Sequence, residues 1–95
     1  MTGFFIEPTS RFSRELRKLL KRHRDLVFAY EKILAALVAD PYNLGRVYDI
    51  LKLTNVELGD GQYRIRIQRW RFRYDVIGRK VLLQHCSLRR EDTYA

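Results

Sequence analysis

Between Gln62 and Val76 the chain adopts a period of two. Tyr63, Ile65 and Ile67 alternate with Arg64, Arg66 and Gln68; Trp70, Phe72, Tyr74 and Val76 alternate with Arg69, Arg71, Arg73 and Asp75. Successive side chains of a strand point to opposite faces, so this pattern predicts two half-buried strands. Gly78 marks a turn after them, and Val81 to Cys86 gives a further strand. Connections this short favour an antiparallel meander. Its apolar face must be covered by something else in the chain. Its other face would present Arg64, Arg66, Arg69, Arg71 and Arg73 side by side.

The cover is found upstream. Phe4 to Ile6 is a short β-prone run stopped by Pro8, and Thr9 or Ser10 can cap a helix. Phe12, Leu16, Leu19 and Leu20 recur at helical spacing, with Arg14, Arg17, Lys18, Lys21 and Arg22 on the other side. Asp25 is placed to cap a second helix carrying Leu26, Tyr30, Ile33, Leu34 and Leu37, which closes at Asp40-Pro41 because the residue before proline avoids the helical region. The expectation is a helical hairpin on the sheet, in a single α+β domain spanning residues 1–95. Val47 to Val56 fits a short helix, a strand or an extended arm, and Gly59-Asp60-Gly61 is a turn.

Charge narrows the function. The chain carries a net charge of +8 over 95 residues, and residues 64–90 alone hold nine basic groups against Asp75. Like charges on neighbouring strands repel. So concentrated an excess suggests that an anion from outside the chain completes the surface: nucleic acid, an acidic protein segment or an anionic membrane. Arginine suits phosphate because its planar fork donates two parallel hydrogen bonds.

Other chemistries are poorly supported. There is no phosphate-cradling glycine loop and no dinucleotide fingerprint. His23 and His85 stand alone, and Cys86 cannot complete a zinc site with them or form an internal disulfide. On the strand pattern His85 reads as a structural histidine and Cys86 as a small core thiol. No stretch is long and apolar enough to span a bilayer, and Met1 to Ser10 lacks the order of a signal peptide. The expectation is a cytoplasmic protein without metal or cofactor.

The segment from Gly61 to Gly78, GQYRIRIQRWRFRYDVIG, resembles the strand pair of the RelE/ParE superfamily of type II toxins. The tail Leu88 to Tyr94 is similar to that family's closing R-x-x-x-Y. Ser10 to Leu19, Ile33 to Pro41 and the run starting at Asp49 are similar to its helical hairpin and the entry to its sheet. The resemblance covers nearly the whole chain. It implies a helical hairpin on a four-stranded antiparallel sheet, the N-terminal strand joining the meander.

It also implies partners and roles. RelE-type members enter the ribosome and cut mRNA without a metal, the 2′-hydroxyl attacking the adjacent phosphate. ParE-type members inhibit DNA gyrase instead. Both are silenced by a cognate antitoxin, and the toxin–antitoxin complex commonly binds its own operator DNA. By resemblance, Arg64 and Arg66 take the place of two lysines, and Arg71 that of the arginine on the scissile phosphate. Arg90 matches the arginine of the closing motif, with Arg89 as the alternative. Tyr94 matches the tyrosine that stacks on a base or activates the nucleophile. Arginine does not act as a proton acceptor at working pH, so the lysine replacements leave proton transfer to Tyr94. Arg14, Lys18 and Lys21 on the first helix, with Arg69, Arg73 and Arg89, are the expected supporting RNA contacts. Three functions follow: a ribosome-dependent mRNA endonuclease, a gyrase-inhibiting binder of the same fold, or a nucleic-acid-binding module with neither activity.

Overall fold

Thr9 starts the first helix. In the computed structural model, which describes residues 3–88, its hydroxyl oxygen accepts from the Phe12 backbone N–H at 3.2 Å and donates to the Leu83 carbonyl at 2.8 Å. The cap therefore begins α1 (Ser10–Leu20) and pins it to the sheet. The stripe predicted for this helix faces inward: Phe12 is fully buried, and Leu16, Leu19 and Leu20 pack against the core. After a tight turn, α2 (Asp25–Ala39) buries Leu26, Ala29, Ile33, Ala36 and Leu37. It stops at Asp40, whose carboxylate accepts from the Leu44 and Gly45 backbone N–H groups at 2.9 Å each.

Asp25 does not cap α2. Arg24 holds the N-cap position without a side-chain capping bond, and Asp25 is the first helical residue. Its carboxylate reaches instead to the sheet, where two stronger donors are waiting.

The sheet has five strands, and it is mixed rather than four-stranded and antiparallel. The strands are β1 (Phe5–Pro8), β2 (Ile50–Lys52), β3 (Tyr63–Ile67), β4 (Trp70–Ile77) and β5 (Lys80–Leu88), in the order β1-β5-β4-β3-β2. The meander β3-β4-β5 is antiparallel, as expected. β1 joins it, but parallel to β5, from Phe5↔Lys80 to Pro8↔Leu83. The reason is topological: β1 is separated from its neighbour by the helices and most of the sheet, so no tight hairpin forces it antiparallel. Pro8, which lacks a backbone donor, sits at the end of this edge strand. The ambiguous segment 47–56 supplies the fifth strand, three residues long, antiparallel to β3 at the far edge.

The helices cover one face. Ile65, Trp70, Phe72, Tyr74, Val81, Leu83 and Cys86 meet the helical stripe in one buried cluster. Tyr30 stacks on Phe72 at 5.9 Å and 10°, and the buried Tyr74 hydroxyl donates to the Pro41 carbonyl at 2.6 Å. The opposite face of β3 and β4 is left without a helix, and that is where the arginines stand.

A candidate nucleic-acid interface

Register assembles the site. β3 and β4 pair Arg64 with Arg73 and Arg66 with Arg71, and β2 adds Leu51 beside Arg64. Residues directly opposite on adjacent strands are near neighbours, so two like-charge pairs stand across one ladder, each costing up to about 1 kcal/mol. Arg64, Arg66, Arg71 and Arg73, with Leu51 and Leu53, line one open groove of about 360 Å³. Four of the arginines singled out from the alternation are thus brought together on a shared surface.

Several of their partners lie among the described residues. Asp49, half exposed at the entrance to β2, accepts from Arg66 Nε at 2.9 Å and lies 3.5 Å from an Arg64 amine. Arg73 Nε donates to the Gly61 carbonyl at 3.1 Å, a neutral acceptor. Asp49 was invisible as a counter-ion in the sequence because it lies far from Arg66 along the chain.

Asp75, the acid within the arginine run, does not serve that purpose. It is fully buried, and its carboxylate accepts from the backbone N–H groups of Gly59 (2.9 Å), Gly61 (3.2 Å) and Gln62 (2.9 Å), and from Gln84 Nε2 (3.0 Å). Gln84 in turn accepts from Arg11 on α1 at 3.0 Å. Asp75 therefore binds the loop before β3 to the sheet and shapes the end of the groove at Arg73. Gly61 makes this possible at φ +85°, where a Cβ would lie 2.8 Å from Arg73 Cβ.

Arg69 leaves the row. Gln68 takes φ +52° in the β3–β4 turn, which ends the strand alternation there. Arg69 then forms a two-point pair with Asp25, at 2.8 and 3.0 Å, and lies over the Trp70 ring at 5.4 Å. Trp70 Nε1 donates to the same carboxylate at 2.9 Å. These donors, Arg69 first, hold the Asp25 carboxyl well below the usual carboxylate range. Arg69 is thus a clasp between turn and helix and does not line the arginine groove.

Arg14, Lys18 and Lys21 do lie together. With Arg17 they line a second opening, of about 240 Å³, on α1. They line a different opening from the four arginines of the groove, and so form a second basic surface. Arg89, Arg90 and Tyr94 lie outside the described residues.

One outward-facing side chain departs from the sequence pattern. Val81 and Leu83 face the core, and strict alternation would send His85 there too. A β-bulge between β4 and β5 intervenes: Arg73 pairs with His85 but Tyr74 pairs with Leu83, so Gln84 is the extra residue. The parity of β5 flips. Cys86 enters the core, where burial pushes its thiol up to about 12, and His85 emerges beside Arg73. Among the described residues, no three His, Cys, Asp or Glu side chains converge as a metal site, and no helix is long and apolar enough to cross a membrane.

Among solved structures, the chain is similar to one in the toxin–antitoxin complex RelBE2 of Mycobacterium tuberculosis, with a TM-score of 0.68 and 22% identity, covering 92% of this chain and 99% of that one. No family model matches the chain, and no curated protein matches it.

Proposed function

We propose that this protein is the toxin of a type II toxin–antitoxin pair and acts in the cytoplasm as a ribosome-dependent mRNA endonuclease. The observation that carries the reading is the groove in which Arg64, Arg66, Arg71 and Arg73 converge from adjacent strands, with Asp49 paired to Arg64 and Arg66. Guanidinium forks at strand spacing offer paired donors to successive phosphates of a single strand. In-line attack of a 2′-hydroxyl builds negative charge on the phosphate oxygens. Arginines fixed by a sheet before the reaction stabilise that charge without reorganising. On this reading Arg71 and Arg73 hold the reacting phosphate, Arg64 and Arg66 hold its neighbours, and Arg90 and Tyr94 complete the site. The likeness to a chain of a toxin–antitoxin complex supports a cognate antitoxin as partner, the complex binding its own operator DNA.

The test is to add the full chain to a translation extract and map mRNA 5′ ends, with Arg71→Ala alongside. Cleavage within ribosome-bound codons, lost in Arg71→Ala, is the expected result. Intact mRNA together with inhibition of gyrase supercoiling would replace the reading with the ParE-type one. Salt-sensitive RNA binding with neither effect would leave a simple binding module.

A further inference from the structure

The groove holds arginines, which stabilise charge but do not accept protons, so the reaction needs a base. The bulge at Gln84 supplies a candidate. His85 stands directly across from Arg73, on the row Leu51, Arg64, Arg73, His85 that crosses β2, β3, β4 and β5. Its side chain is partly exposed, at 29%. It lines an opening of about 480 Å³ together with Asn55, Val56, Glu57, Asp60 and Arg73. Arg73 also lines the arginine groove, so the two openings share that residue. A phosphate seated on Arg73 has an imidazole beside it.

The imidazole is also oriented. Its Nδ1 faces Glu15 Oε2 at 3.5 Å, and the other oxygen of Glu15 accepts from the Cys86 backbone N–H at 2.9 Å. The second bond anchors the carboxylate to the strand that carries His85. An ionised carboxylate only accepts, so it favours the tautomer with hydrogen on Nδ1 and leaves Nε2 as the accepting atom.

We propose that His85 is the proton acceptor of the cleavage step and that Glu15 is its positioning residue; this rests on the RNA-cleaving reading above. His85 Nε2 takes the 2′-hydroxyl proton as the 2′ oxygen bonds to phosphorus. The P–O5′ bond breaks, its electron pair stays on the 5′ oxygen, and that oxygen leaves with a proton from water. The products are a 2′,3′-cyclic phosphate and a 5′-hydroxyl, and the imidazolium returns its proton to solvent. The charged groups that face it are Glu15 from α1, Arg73 from β4, and Glu57 and Asp60 from the loop before β3.

The experiment measures single-turnover mRNA cleavage on programmed ribosomes against pH, for the full-length wild type, His85→Gln, Glu15→Gln and Arg71→Ala, with ribosome co-sedimentation as the binding readout. His85→Gln should lose about 10²- to 10⁴-fold in rate and keep its ribosome binding. The wild-type rate should rise with pH, as expected of a general base. That rise should vanish in His85→Gln, while Glu15→Gln, whose amide oxygen still accepts from Cys86, should slow cleavage and keep its ribosome binding. A His85→Gln chain that cuts at the wild-type rate with the wild-type pH profile, while Arg71→Ala is dead, would overturn the assignment and leave the nuclease reading standing. A wild type that does not cut ribosome-bound mRNA would overturn both.

Discussion

Asp75→Ala tests whether a buried carboxylate, rather than the arginines around it, organises the end of the groove. The wild-type carboxylate takes four hydrogen bonds in a fully buried site, three of them from backbone N–H groups of one loop. A hydrogen bond to a charged group contributes about 1.5–3 kcal/mol, and a donor left buried without a partner costs about 1–3 kcal/mol. The four are not additive, because Gly59 and Gly61 can turn to water once the loop lifts. Removing one partner of a buried charged network typically costs about 3–5 kcal/mol, and we expect that range. A domain of this size is stable by only about 5–15 kcal/mol, so the alanine chain should be close to its threshold. Asp75→Asn keeps one accepting oxygen but turns an amide toward the remaining donors, and should lose about 2 kcal/mol. At about 4–8 °C per kcal/mol for a small domain, the asparagine change should lower Tm by about 8–16 °C. Urea and thermal unfolding followed by circular dichroism read both. An alanine variant within about 1 kcal/mol of the wild type would refute the reasoning, since no single buried hydrogen bond of this kind is worth less.

Gly61→Ala should destabilise by about 2 kcal/mol or more, through both its positive φ and the clash with Arg73 Cβ; urea midpoints measure it. Asp25 has a folded-state pKa lowered from 3.8, so its bonds to Arg69 and Trp70 stabilise the fold above that pH and are lost as pH falls below it. The urea midpoint should therefore drop on acidification less steeply in Asp25→Asn than in the wild type, by a small margin because the pair is exposed. Cys86, buried and with its thiol pushed up to about 12, should resist iodoacetamide at pH 8 until the chain is unfolded in urea.

The period-two run made the meander and its buried face legible, since Ile65, Trp70, Phe72 and Tyr74 all face the helices. The α1 stripe and its Thr9 cap were legible for the same reason: local spacing sets them. What failed was non-local. The parallel pairing of β1 depends on where the chain returns, and Phe4 to Ile6 carry no sign of direction. β2 is too short for its alternation to register. Arg69 and Asp25 each suited their local pattern, a strand position and a helix cap, until a turn at Gln68 brought them together. Asp75 sat in register with the arginines but was claimed by the backbone donors of a loop. The Gln84 bulge changes the face of every residue after it: Cys86 lies in the core, as expected of it, and His85 emerges on the outer face.

The central claim is that the outer-face groove receives the phosphodiester backbone of RNA. The most direct measurement is the salt dependence of binding to a single-stranded RNA oligonucleotide, for the wild type and for the double variant Arg66→Gln, Arg71→Gln. Each phosphate contact on a single strand contributes about 0.7 to the slope of log K against log salt, so the double variant should be shallower by about 1.4. An unchanged slope, with binding lost only when Arg14, Lys18 and Lys21 are replaced, would move the RNA to the basic surface of α1 and contradict the account.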